Sequence, residues 1–122
     1  MNLDTAEAEM LRLSKLIDKG TTEMIAQVKK NAEAERDYRQ SRAEAWALTS
    51  GELPDGSKVL AKQREDDVNA RTAVKRYERD LADGMVRAAH EASRNRRAQL
   101  SAVQSLLNAW RAEVDFGRTG PS

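Results

Sequence analysis

The sequence predicts an all-α fold: a long antiparallel helical hairpin with coiled-coil-like seams that assembles into an oligomer. Three observations carry this. The composition is 39% hydrophobic but only 4% aromatic and 34% charged, with much of the apolar share in alanine. Such a chain buries little area per residue, yet Ala, Glu, Arg, Lys and Leu are the strongest helix formers. Apolar residues also recur by threes, fours and sevens along two long stretches, the spacing of one helix face. Between the stretches, residues 50–57 (SGELPDGS) are the only clear punctuation inside the 122-residue chain.

The first arm is expected from about residue 4 to residue 49. Asp4 and Glu7 have the spacing of a capping box, in which each side chain satisfies an orphan N–H at the helix start. Leu3, Met10, Ile17 and Met24 then recur every seven residues, with Ala6 and Leu13 between them. This narrow seam makes Leu13, Ile17 and Met24 packing positions. It continues less strictly through Val28, Ala32, Tyr38, Ala45 and Leu48. Asn31 falls on the seven-residue series, either as a solvated position where the seam has drifted or as a buried amide that fixes register. Gly20, Thr21 and Thr22 are weak helix formers, so the arm can kink there, or Thr22 can cap a second segment.

Residues 50–57 form the hinge. Gly51 suits the left-handed position that ends a helix, Pro54-Asp55-Gly56 is turn chemistry, and Ser57 can cap the second arm. That arm is expected from about residue 58 to residue 115. Unbroken, each arm would be roughly 70 to 85 Å long at 1.5 Å rise per residue. The apolar positions of the second arm include Val74, Tyr77, Leu81, Met85, Leu100, Val103, Leu107, Trp110 and Val114. Residues 61–73 hold few apolar groups, so the start of this arm is expected to be exposed or frayed. Phe116-Gly117 ends it, leaving 117–122 as a flexible tail. The whole chain reads as a single helical domain. Leu106 widens the stripe of Leu100, Val103, Leu107 and Trp110 beyond what one partner helix covers, which calls for self-association.

Catalysis has little support in the sequence. There is no cysteine and one histidine, His90, and no Gly-rich phosphate loop is present. A zinc or di-metal site needs Glu and His at fixed helical spacing. Glu33, Glu35, Asp66, Asp67 and Glu91 lie instead among basic partners. The expectation is a protein that is not an enzyme and takes neither cofactor nor metal. No signal peptide and no apolar run of membrane-spanning length is evident, so the expected location is the cytoplasm, with no membrane partner.

The net charge of +1 excludes a globally basic coat but not a local patch. Five arginines and one acid, Glu91, lie between residues 87 and 111. At about 100° per residue, Arg87, His90, Arg94, Arg97, Ser101, Gln104 and Asn108 share one acid-free stripe, opposite the packing stripe. Arginine suits phosphate because its planar fork donates two parallel hydrogen bonds. The competing reading is a solvated face. Arg96 projects towards the packed side, where it is expected to pair with an acid from another helix. Trp46, at the hinge end, either packs across the hairpin or stacks on a base.

The order of parts resembles small helical proteins of tailed bacteriophages and, more distantly, the UvsY-type recombination mediators. The residues that carry the resemblance are Tyr38, Arg39 and Arg42 before the hinge, and Ser50-Gly51 and Asp55-Gly56 within it. Leu100, Gln104, Ser105 and Trp110-Arg111-Ala112-Glu113 close the second helix. The resemblance implies an oligomeric, non-enzymatic accessory of recombination or replication that binds single-stranded DNA. It would help load a recombinase onto strands covered by a single-strand-binding protein. The family's basic group would fall on Arg39 and Arg42. The nearest Lys-x-Arg is Lys62-Gln63-Arg64, beyond the hinge. The expected nucleic-acid contacts are thus Arg39, Arg42, Lys62, Arg64, Arg87, Arg94 and Arg97. The alternative is a structural or adaptor coiled coil, for virion assembly or host-protein binding, with no nucleic-acid role.

Overall fold

The computed structural model describes residues 2–49, 51, 54 and 60–119, with the side chains of 118 and 119 excepted. Among the described residues three helices occur in order: α1 (Leu3–Leu48), α2 (Ala61–Arg71) and α3 (Ala73–Thr119). The long α1 packs against the long α3 as a hairpin. The turn chemistry expected of Asp55, Gly56 and Ser57 lies outside the described residues, as does the tail from residue 120.

The cap of α1 is Asn2, not Asp4. Its Oδ1 accepts from the Thr5 amide at 2.8 Å and the Thr5 hydroxyl at 2.7 Å, and its carbonyl accepts from the Ala6 amide at 3.0 Å. Asp4 lies in the first turn, where its charge still suits the helix dipole. The helix runs through Gly20-Thr21-Thr22 without interruption. Thr21 donates its hydroxyl to the Ile17 carbonyl at 3.0 Å and Thr22 to the Asp18 carbonyl at 3.4 Å. Both threonines thus bond back to i−4 within the helix, and Thr22 caps nothing.

The expected continuous second arm is broken once, at Thr72. The backbone ladder survives the break, since the Thr72 amide donates to Val68 at 3.0 Å and the Arg76 amide to Thr72 at 2.9 Å. The Thr72 hydroxyl also donates to the Val68 carbonyl at 2.8 Å. Such back-bonding slightly destabilises a helix and often bends it. The stretch expected to be exposed or frayed is largely exposed but helical, with Val68 and Thr72 buried as its anchors. At the other end α3 passes Phe116-Gly117 and reaches Thr119. Glycine costs about 1 kcal/mol against alanine in a helix but does not stop the ladder.

The chain divides into two compact units, Met1–Ile25 with Ala88–Ser122, and Ala26–Arg87. A hairpin of long helices brings each stretch only against the stretch opposite, so its contacts stay local. In the first unit Ala6, Leu13, Ser93 and Leu107 are buried, with Leu13 and Leu107 each 1% exposed. Burying a leucine side chain contributes roughly 1.5 to 3 kcal/mol. Met10, Ile17, Met24, Leu100, Val103 and Trp110 are half-buried around them.

In the second unit Ala45, Thr49, Val68 and Thr72 are buried. The less exposed face of α3 here is formed by Lys75, Arg79, Ala82, Asp83 and Val86. Leu81 and Met85, expected to pack, are exposed, as are Val74 and Tyr77. The helix meets α1 through the aliphatic stems of long charged side chains, which can cover apolar surface while keeping their heads polar. On α1 the matching face holds Asn31, Ala34, Glu35, Tyr38, Arg42 and Ala45, and Asn31 is half-buried.

Candidate nucleic-acid interface

Each unit carries part of the expected arginine set. On α3 in the first unit, His90, Arg94, Arg97, Ser101, Gln104 and Asn108 are all exposed. Helical periodicity aligns them, and the half-buried Leu100, Val103 and Trp110 occupy another face of the same helix. Arg94 has its side chain 82% exposed and meets Glu91 only at 3.9 Å, a loose surface contact of little energetic weight. Arg97 has no ion pair among the described residues. Two guanidiniums about one turn apart thus stand in solvent, with polar side chains continuing the stripe.

Arg96 does not pair with an acid, contrary to expectation. Its Nη1 donates to the Leu16 carbonyl of α1 at 3.3 Å. The guanidinium crosses directly over Gly20, where a Cβ would stand 2.9 Å from Nη1. A backbone carbonyl satisfies a half-buried guanidinium without a second charge, which avoids the cost of an unpaired ion. Gly20 therefore admits a crossing side chain.

In the second unit Arg42, Trp46 and Arg64 come together. The Arg42 guanidinium lies 5.9 Å and that of Arg64 4.9 Å from the Trp46 ring centre. Arg42 donates to Asn69 Oδ1 at 3.0 Å. Arg64 donates through Nη2 to the Trp46 carbonyl at 3.0 Å and through Nε to the Thr49 hydroxyl at 3.3 Å. The last turn of α1 has no basic residue of its own; its Ala45 carbonyl accepts from the Thr49 amide at 2.9 Å and its Trp46 carbonyl from the Thr49 hydroxyl at 3.2 Å. Arg64 supplies both charge and donors from α2, so its fork serves as a helix cap. Trp46 is half-buried beneath the two arginines.

Among the other expected contacts, Arg39 is exposed and paired with Glu35 at 2.9 Å. Arg87 is exposed and paired with Asp83. Lys62 is exposed with no ion pair among the described residues. Arg79, which the sequence did not single out, lies 4.2 Å over the Tyr38 ring and 3.8 Å from Glu35. Its hydrogen bond to Asp80 holds its guanidinium above the ordinary value, with smaller contributions from Tyr38 and Glu35. Spacing could have signalled the Arg42–Trp46 contact, since i and i+4 are neighbours on a helix. Nothing local signals Arg64 over Trp46 or Arg79 over Tyr38, because both depend on register between helices. No helix among the described residues is long and apolar enough to cross a membrane. Set against protein-family models, curated proteins and solved structures, the chain matches none of them.

Proposed function

We propose that this chain is a non-enzymatic, homo-oligomeric accessory of recombination or replication that binds single-stranded nucleic acid, of the phage recombination-mediator kind. The observation that supports it is the exposed stripe on α3 in the first unit. Arg97 has no ion pair among the described residues, Arg94 only its loose contact with Glu91 at 3.9 Å, and Ser101, Gln104 and Asn108 extend the row with groups that hydrogen-bond phosphate or sugar. No Phe, Tyr or Trp lies in the row. Binding there is therefore to the backbone, with phosphate contacts that position the strand without reading bases. Arg42 and Arg64 are engaged with Trp46, Asn69 and Thr49, which makes them supports of the fold in this reading.

Fluorescence anisotropy with a labelled single-stranded oligonucleotide at two salt concentrations tests this. Each phosphate contact adds roughly 0.7 to the slope of log K against log salt for single strands. The double variant Arg94→Ala, Arg97→Ala should lower that slope by about 1.4. Absence of binding at low salt removes the nucleic-acid reading. Binding untouched by the double variant removes this stripe as its site.

A further inference from the structure

The second unit leaves its most apolar helix face in water. Val74, Tyr77, Leu81 and Met85 succeed one another by three, four and four residues on α3, and they are 68%, 66%, 53% and 46% exposed. At 100° per residue this stripe is about 140° around the helix from Lys75, Arg79, Ala82, Asp83 and Val86, the face turned to α1. We propose that a second copy of this chain covers it, the two α3 helices packing antiparallel about a two-fold axis near Leu81, with each Tyr77 ring over the other copy's Gly84.

The area fits that occupant. From their exposures the four side chains leave on the order of 500 Å² per copy in water, near the largest patch of an ordinary monomer. A symmetric pair that covered both patches fully would bury on the order of 1,000 Å², the minimum for a biological interface. Shape agrees as well. When the axis passes between residues 80 and 81, residue 77 lies level with residue 84 of the other copy, on the same flank. Gly84 is exposed, and a Cβ built there meets nothing within 4 Å. The largest side chain of the stripe thus falls opposite its one gap, and the two Leu81 side chains meet at the centre.

Charge favours a copy of the same chain over an anionic surface. On α3 the stripe is flanked by the acids Glu78 and Asp80, held by Lys75 at 3.3 Å and Arg79 at 3.0 Å, two bases of the face turned to α1. A helix that lies on acidic lipid carries unpaired Lys and Arg along its polar edge. An isologous contact uses one patch twice and needs no opposite charge.

The inference rests on the oligomeric part of the proposed function and not on nucleic-acid binding, so the two fail separately. The full chain has no cysteine, which makes disulfide mapping clean. Oxidised Leu81→Cys should give a covalent dimer. Val74→Cys should not, because its two copies lie about 20 Å apart along the axis at 1.5 Å per residue, beyond the reach of a disulfide. Sedimentation of the unmodified chain at micromolar concentration should show a dimer. Leu81→Glu should weaken it by about tenfold or more while the circular dichroism stays unchanged. A monomeric wild type, a Leu81→Glu dimer of unaltered affinity, or a Val74→Cys crosslink as efficient as that of Leu81→Cys overturns the proposal.

Discussion

Replacing Gly20 with alanine tests whether Arg96 crosses α1 where the structure has it. In an open helix interior the change stabilises by about 1 kcal/mol, because glycine loses more backbone freedom on folding. At Gly20 the new methyl group would stand 2.9 Å from Arg96 Nη1, inside contact distance. The guanidinium is the far end of a flexible side chain and moves off, giving up its 3.3 Å bond to the Leu16 carbonyl. A hydrogen bond to a charged group contributes about 1.5 to 3 kcal/mol, and the length and partial exposure of this one reduce it to about 1 kcal/mol. The gain and the loss then cancel to within about 0.5 kcal/mol. In an Arg96→Ala background nothing obstructs the methyl group, and the full gain of about 1 kcal/mol returns. The double-mutant cycle should therefore yield a coupling of about 1 kcal/mol. Equilibrium urea unfolding monitored by far-ultraviolet circular dichroism, at one fixed protein concentration, measures all four species. An equal stabilisation by Gly20→Ala in both backgrounds refutes the crossing.

Leu107→Ala should destabilise the first unit by about 2 to 4 kcal/mol, since the side chain is 1% exposed, while Leu106→Ala beside it should cost less than about 1 kcal/mol. The same unfolding experiment compares the two. Arg64→Ala removes two hydrogen bonds and a ring contact at the end of α1 and should cost about 1 to 2 kcal/mol. Faster amide exchange in the last turn of α1, not rescued by Arg64→Lys, is the expected readout. The Arg12 guanidinium, bonded to Glu9, holds the Glu9 carboxyl below the ordinary carboxylate value. A lowered folded-state value means that the contribution is present above the ordinary carboxylate range and is lost as pH falls through the lowered one. NMR titration of Glu9 should move back to the ordinary range in Arg12→Ala. A midpoint that stays put would mean that the pair does not form in solution.

The chain's own pattern determined that it is helical and that it folds back near the middle. Helix propensity and i, i+3, i+4 spacing are properties of neighbours in sequence, so Leu13, Ile17 and Met24 could be identified from their spacing alone, as could Leu100, Val103, Leu107 and Trp110. The exposed stripe of Arg94 and Arg97 was legible for the same reason. Spacing also marked Leu81 and Met85 as apolar positions but could not say which face of α3 meets α1. Tertiary structure decided that, turning Lys75 and Arg79 inward over Tyr38 and Glu35 and leaving Val74, Tyr77, Leu81 and Met85 outside. It likewise made Arg64 a cap for α1, gave Arg96 a backbone carbonyl in place of an acid, and used Gly20 as the gap that Arg96 crosses. Each of these depends on the register of one helix against another. That register arises from packing across the hairpin, between residues such as Leu16 and Arg96, 80 positions apart, and no local pattern encodes it.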